Sequence, residues 1–205
     1  MLLYRAPFST NAERVALALA FKGLEVESVV ISYEDRSEVE RVSGQRLVPV
    51  LVDDDGIVVS DSMQIVSHLE RLRPSPPLYP ADPAPRAQLD VFVDWFNGVW
   101  KVAPNALEAE LGAAVPDERR IAALAASMAA ALDRFEALLA GRDHLLGDDF
   151  SAADCCAFPF LKYALGRDAD DDELFHRVLE EYQPLGDGHP RLAAWIARVG
   201  ARPRA

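Results

Sequence analysis

Three short stretches carry the residue types that could do chemistry, and each sits at the start of a helix or strand. In Pro7-Phe8-Ser9-Thr10-Asn11, hydroxyl and amide side chains stand just ahead of a helical pattern. The unpaired N–H groups and the dipole of a helix N-terminus favour an anion there. Ser, Thr and Asn are also ordinary helix caps, so capping and anion binding are both open for this stretch. Ser60-Asp61-Ser62 repeats the arrangement at a second strand-to-helix junction, with Ser62 as its anion-binding candidate. Leu47-Val48-Pro49-Val50 sets a proline at the start of a strand. An edge strand tolerates it there, and a cis peptide is the special case.

Most other catalytic apparatus is missing. His68, His144, His176 and His189 are scattered, with no partner at ligand spacing, so no metal site is expected. There is no Gly-rich phosphate loop and no Gly-x-Ser-x-Gly elbow. Asp53 to Asp55 and Asp168 to Asp172 are carboxylate runs and read as solvated loops. Cys155 and Cys156 are adjacent, a spacing that suits neither an unstrained disulfide nor a redox pair, and a reducing cytoplasm fits. With 21 Lys and Arg against 33 Asp and Glu, the net charge of −12 argues against nucleic acid as a principal partner. The acidity is uneven, since residues 1 to 24 set Arg5, Arg14 and Lys22 against Glu13 alone. No apolar run reaches the roughly 18 to 20 residues of a membrane span, and the first eight residues lack the order of a signal peptide.

The elements that must position these residues follow from patterning. Six of the 14 prolines fall between Pro74 and Pro85, which marks residues 75–85 as an extended linker between a mixed domain, 1–74, and a helical one, 86–205. In the first part, Leu2 to Tyr4 reads as a strand, Asn11 to Lys22 as a helix stopped by Gly23, and Glu25 to Ile31 as a strand. An ill-defined segment follows. Val48 to Val52 and Ile57 to Ser60 then pair as a hairpin through Asp-Asp-Asp-Gly, and Ser62 to Leu72 is a helix. In the second part, Leu89, Phe92, Val93, Phe96, Val99 and Trp100 form one apolar stripe, and Ile121, Leu124, Met128, Leu132, Phe135 and Leu139 another. Shorter helices are expected around 152–163, 171–182 and 191–199.

In this order the features resemble the soluble glutathione transferases, in particular bacterial-like members of the serine type. The anchors are Pro7-Phe8-Ser9-Thr10-Asn11-Ala12-Glu13-Arg14-Val15, Val48-Pro49-Val50-Leu51, Asp61-Ser62, Phe150-Ser151-Ala152-Ala153-Asp154 and Pro190-Arg191-Leu192-Ala193-Ala194-Trp195. The resemblance implies an α+β chain: a thioredoxin-like N-terminal domain of β-α-β-α-β-β-α order, then an all-helical bundle. It implies glutathione as co-substrate, a small hydrophobic electrophile as second substrate, a homodimer, and conjugation, isomerisation or dehalogenation as the reaction. A non-catalytic binding or regulatory protein of the same fold is the alternative.

The resemblance also assigns roles. Ser9 would stabilise the glutathione thiolate, with Tyr4, Thr10 and Asn11 as rivals for that hydroxyl or amide. Val48, before the family's cis-proline at Pro49, would pair its backbone with the cysteinyl part. Ser62 would hold the γ-glutamyl carboxylate and Asp61, one methylene shorter than the family's usual Glu, would face the amino group. Gln45 or Arg46 would meet the glycyl end. The electrophile would lie against Phe8, Phe96 and Trp100, near Lys101. Ser151 and Asp154 would form a helix-capping box, and Trp195 would pack the last helix.

Overall fold

The computed structural model describes residues 1–32 and 34–205. They divide into two compact units, Met1–Pro80 with Arg202–Ala205, and Ala81–Ala201.

The first unit contains β1 (Leu2–Arg5), α1 (Thr10–Lys22), β2 (Glu27–Val30), α2 (Ser37–Ser43), β3 (Val50–Val52), β4 (Val58–Ser60) and α3 (Ser62–Leu72). The sheet order is β2-β1-β3-β4; β1 runs parallel to β2, and β3 is antiparallel to β1 and β4. This is the thioredoxin-like arrangement expected, and α2 fills the segment the patterning left undefined. Gly23 ends α1 in the left-handed region (φ 60°), and its N–H and that of Leu24 take up the carbonyls of Ala20 and Leu19. The ends of α1 and α3 are tied by a buried ion pair, Lys22 with Glu70, and Lys22 also donates to the Pro76 carbonyl at 2.6 Å. Tyr4, Ala6, Ile31, Val39 and Val50 form a core cluster on the sheet.

The Asp-Gly hairpin joins β3 to β4 with Val52 opposite Val58. Its first carboxylate is not solvated, contrary to the loop reading. Asp53 is buried, accepts from the N–H groups of Asp55 (3.0 Å) and Ile57 (2.8 Å), and lies 2.8 Å from His68 Nε2 on α3. Burial alone would raise its pKa. The N–H of Ile57, the His68 ring and the N–H of Asp55 outweigh that and hold it below its ordinary 3.8. A carboxyl depressed by folding contributes stability that is present above 3.8 and lost as pH falls through the folded value. Asp53→Asn should therefore lower the melting temperature at neutral pH, with the gap to the parent closing below pH 3.8. A gap that persists unchanged down to about pH 2 in thermal melts would refute this linkage.

The second unit contains α4 (Pro83–Trp95), α5 (Val102–Leu111), α6 (Glu118–Leu138), α7 (Ala152–Leu161), α8 (Leu174–Glu181) and α9 (Pro190–Gly200). Helix α4 begins inside the proline run. Pro83 and Pro85 occupy its first turn, where backbone N–H groups have no helical acceptor and proline's missing donor costs nothing. A π-helical turn over Phe96–Trp100 follows α4, closed by Lys101 N–H on the Phe96 carbonyl at 3.0 Å. Phe96 stacks on Trp100 at 4.5 Å, and both rings meet Phe135 and Phe160 edge-on.

Buried acids organise this unit too. Asp154, wholly buried at the start of α7, completes the capping box with Ser151 and accepts from Leu145 N–H and, at 2.7 Å, the indole N–H of Trp195. The second acid run is only partly solvated: Asp171 is buried against Tyr163 and His176. All four histidines lie beside a carboxylate, His68 with Asp53, His144 with Asp154, His176 with Asp171 and His189 with Asp133.

Candidate active site

The two hydroxyls singled out by sequence are both at helix N-termini of the first unit, and each follows a strained residue. Among the described residues, Phe8 (φ 55°) and Asp61 (φ 73°) alone combine a side chain with positive φ. Such conformations cost about 1–3 kcal/mol each and persist where the surroundings enforce them. Phe8 immediately precedes Ser9; Asp61 immediately precedes Ser62.

Ser9 is the N-cap of α1, and its Oγ accepts from the Ala12 N–H at 3.3 Å. An accepting hydroxyl keeps its own proton to donate. The rivals are less available. Tyr4 is packed in the sheet cluster, Thr10 is buried inside the first turn of α1, and Asn11 already has a polar or ring partner.

At the second junction the side chain of Asp61 accepts from Met63 N–H (2.9 Å) and Gln64 N–H (3.1 Å). That caps two of the first-turn donors of α3 and leaves the N–H of Ser62, which has no intrahelical acceptor. Ser62 is buried, and its Oγ accepts from Arg14 Nη1 at 3.2 Å. The hydroxyl proton of Ser62 is again left to donate. Arg14 itself is 1% exposed, so α1 delivers a buried guanidinium to the N-terminus of α3. Sequence reasoning missed this role and counted Arg14 only as a charge. The available signal was its position amid Ala12, Val15, Ala16 and Leu19, on the buried side of an apolar helix.

The Val48-Pro49 peptide is cis. Val48 lies outside β3, and no described residue pairs with its backbone N–H or C=O. Nearby, the Gln45 amide is spent on its own loop, bonding Ser43 Oγ and both backbone groups of Leu47. Arg46 is exposed and paired with Glu40 at 3.1 Å. Gln45 thus has little left to offer a ligand, whereas the Arg46 guanidinium is shared and accessible.

Taken together, these groups suit an extended peptide carrying a carboxylate and a thiol: two hydroxyl donors, a helix-start N–H, a buried cation and an unpaired strand-edge backbone. The family models agree. "Glutathione S-transferase, N-terminal domain" matches residues 3–77 and "Glutathione S-transferase, C-terminal domain" matches residues 118–198, together more than half of the chain. The chain belongs to the glutathione S-transferase family. Glutathione S-transferase Z1 of Arabidopsis thaliana is 37% identical over 89 residues, 42% of this chain and 40% of the relative. The first-matched plant relatives are thus spanned over well under half their length. Maleylacetoacetate isomerase of Rattus norvegicus is 29% identical over 77% of this chain and 74% of its own. The theta class glutathione S-transferase of Xanthomonas axonopodis pv. citri, solved with glutathione bound, superposes with a TM-score of 0.75 at 25% identity, covering 98% of this chain and 93% of that one.

For this glutathione S-transferase one expectation about the electrophile site needs correction. Phe96 is 0% exposed and Trp100 5%, stacked together in the aromatic core of the second unit. Within that unit they are packing residues, and Lys101 beside them lies 4.8 Å over the Phe160 ring. Phe8 is different: it is 42% exposed, next to Ser9.

Proposed function

We propose that this glutathione S-transferase is an enzyme that activates the thiol of glutathione for attack on a small hydrophobic electrophile. The observation that carries the reading is the pair of strained residues, Phe8 and Asp61, each followed directly by a hydroxyl at a helix N-terminus, Ser9 and Ser62. In this reading the γ-glutamyl carboxylate takes the Ser62 hydroxyl and N–H beside the Arg14 guanidinium. The cysteinyl backbone pairs with Val48, and Arg46 meets the glycyl carboxylate. Asp61 faces the amino group with the carboxylate oxygen its cap leaves over.

Ser9 donates its proton to the developing thiolate. A free thiol titrates near 8.5, and lowering that by about two units takes roughly 2.7 kcal/mol of preferential thiolate binding. One hydroxyl donor and the N-terminus of α1 are of the right size for that. The thiolate then forms a C–S bond with an electron-poor carbon. In a substitution the leaving group departs with the bonding electrons of the bond that breaks, and the thiol proton goes to solvent. Serine is not alkylated or acylated at any step.

We place the chain in a reducing cytoplasm as a homodimer with a detoxifying role. The buried thiols Cys155 and Cys156, not joined as a disulfide, support the compartment. An open apolar groove of about 900 Å³ on α4 and α6, with Val91 68% exposed beside Trp95 and Leu138, supports a covered face. Purified protein should be retained on immobilised glutathione, turn over 1-chloro-2,4-dinitrobenzene with glutathione, and sediment as a dimer. Retention without turnover across a panel of aryl halides, epoxides and unsaturated ketones would refute the catalytic reading; a sedimenting monomer would refute the dimer.

A further inference from the structure

The two ends of the proposed glutathione site differ in burial and in what they have to spare. At the γ-glutamyl end Ser62 is 3% exposed and Arg14 1%, with Arg14 Nη1 donating to Ser62 Oγ at 3.2 Å. The guanidinium takes a lone pair of the hydroxyl, so the Ser62 proton is the part left to meet an anion. The Ser62 N–H at the start of α3 adds a second donor. Buried groups of this kind are left unpaired when a ligand lacks the matching charge, so they discriminate strongly.

At the glycyl end the polar groups are already shared. Gln45 Nε2 donates to Ser43 Oγ (3.1 Å) and to the Leu47 carbonyl (2.9 Å), and its Oε1 takes the Leu47 N–H. The Arg46 and Glu40 side chains, 59% and 53% exposed, pair at 3.1 Å. The Asp35 carboxyl is held below its ordinary 3.8 by the hydroxyl and N–H of Ser37 and also by the charge of Arg46, so a second acid draws on that guanidinium. Arg36 donates to the Arg46 carbonyl at 3.1 Å, and Arg41 lies 3.7 Å from Glu38. Residues 34–46 set Glu34, Asp35, Glu38 and Glu40 against Arg36, Arg41 and Arg46, an excess of acid. A glycyl carboxylate arriving there exchanges one exposed ion pair for another, a gain of about fivefold at most.

From this asymmetry we propose that the enzyme selects its thiol by the γ-glutamyl end and tolerates change at the other. Its co-substrates are γ-glutamyl thiols as a class, including γ-glutamylcysteine, which has no glycine. Ser62 is the specificity-determining residue. The reaction is unchanged: sulfur displaces the leaving group from carbon and the thiol proton goes to solvent, whichever thiol is bound. The inference rests on the transferase reading above and names the thiol substrate class for that same site.

A set of four thiols tests it with 1-chloro-2,4-dinitrobenzene as electrophile: glutathione, glutathione esterified at its glycine, γ-glutamylcysteine and cysteinylglycine. The kcat/KM for each thiol is divided by the rate of its free thiolate, which removes intrinsic reactivity. The glycyl ester and γ-glutamylcysteine should stay within about fivefold of glutathione. Cysteinylglycine, which lacks the γ-glutamyl group, should fall by about a hundredfold or more. Arg46→Gln should bring the ratio of glutathione to γ-glutamylcysteine close to one. Ser62→Ala should narrow the gap between glutathione and cysteinylglycine by about tenfold, a change of ratio that a merely structural serine would not produce. A loss beyond fivefold for the ester or γ-glutamylcysteine, cysteinylglycine within tenfold of glutathione, or a gap that Ser62→Ala leaves intact overturns the inference alone. No turnover with glutathione itself sinks the transferase reading, and this inference with it.

Discussion

Asp154→Ala should destabilise the native state severely, with a stability loss of about 4 kcal/mol or more, approaching the lower end of a typical 5–15 kcal/mol margin. The reason is what the carboxylate leaves behind. Asp154 is wholly buried and accepts from Ser151 N–H (2.9 Å), Ser151 Oγ (3.1 Å), Leu145 N–H (3.2 Å) and Trp195 Nε1 (2.7 Å). Each buried donor stripped of its acceptor costs about 1–3 kcal/mol, and the lost capping box adds about 1. Those donors lie on the loop before α7, at its N-cap and on α9, so one carboxylate ties three segments together. Trp195→Phe removes a single donor and should cost less, about 1–2 kcal/mol. Asp148→Ala, on an exposed acid of the same loop, should be near neutral. Urea midpoints and refolding yields of the three variants provide the comparison. An Asp154→Ala protein that unfolds within about 0.5 kcal/mol of the parent would rule out the keystone role.

The ease of reading the sequence varied with the range over which each feature is determined. Helix α3 was legible to the residue, because its cap, its start and the Ile65, Val66 and Leu69 spacing all lie within twelve positions. The Asp-Gly hairpin was legible for the same reason. Helix α2 was not: its seven residues bury only Val39, so it has no apolar stripe, and a helix this short needs its packing partner to exist. The π-turn was equally hidden. Regular spacing puts Val99 in one stripe with Phe96 and Trp100, but the wider turn leaves Val99 58% exposed while both rings stay inside. Hydroxyls at helix starts could be named from the sequence because local chain order sets them there. Their partners could not, since Arg14 reaches Ser62 across 48 residues and Trp195 reaches Asp154 across 41. An acid run looks solvated until the distant histidine that meets it is known, as His68 is for Asp53.

Ser9→Ala should lower kcat/KM with an aryl halide by about a hundredfold or more while leaving glutathione affinity within a few-fold. The split follows from the division of labour at the site. In the proposed arrangement Ser62, which accepts from Arg14, and the Val48 backbone would hold the tripeptide by groups remote from sulfur, so removing Ser9 would spare most of the binding energy. The lost interaction is one the thiolate makes more strongly than the thiol, and two pKa units of it correspond to a hundredfold in thiolate near neutral pH. The sign follows from the proposed mechanism: a bound thiol that Ser9 holds below its ordinary 8.5 would rise in pKa without the serine. The kcat/KM profile should therefore shift its ionisation to higher pH by up to about two units, and activity should recover in alkaline buffer. Loss of the N-cap bond to Ala12 costs a further 0.5–2 kcal/mol of stability, which a melting curve separates from the chemistry. Ser9→Thr restores a hydroxyl and should recover part of the rate with the pKa. Tyr4→Phe and Thr10→Val, whose side chains are buried in their elements, should leave the profile where it was. If Ser9→Ala kept the parent's ionisation and Tyr4→Phe moved it, the thiolate donor would be the strand tyrosine, and the strain at Phe8 would need another cause.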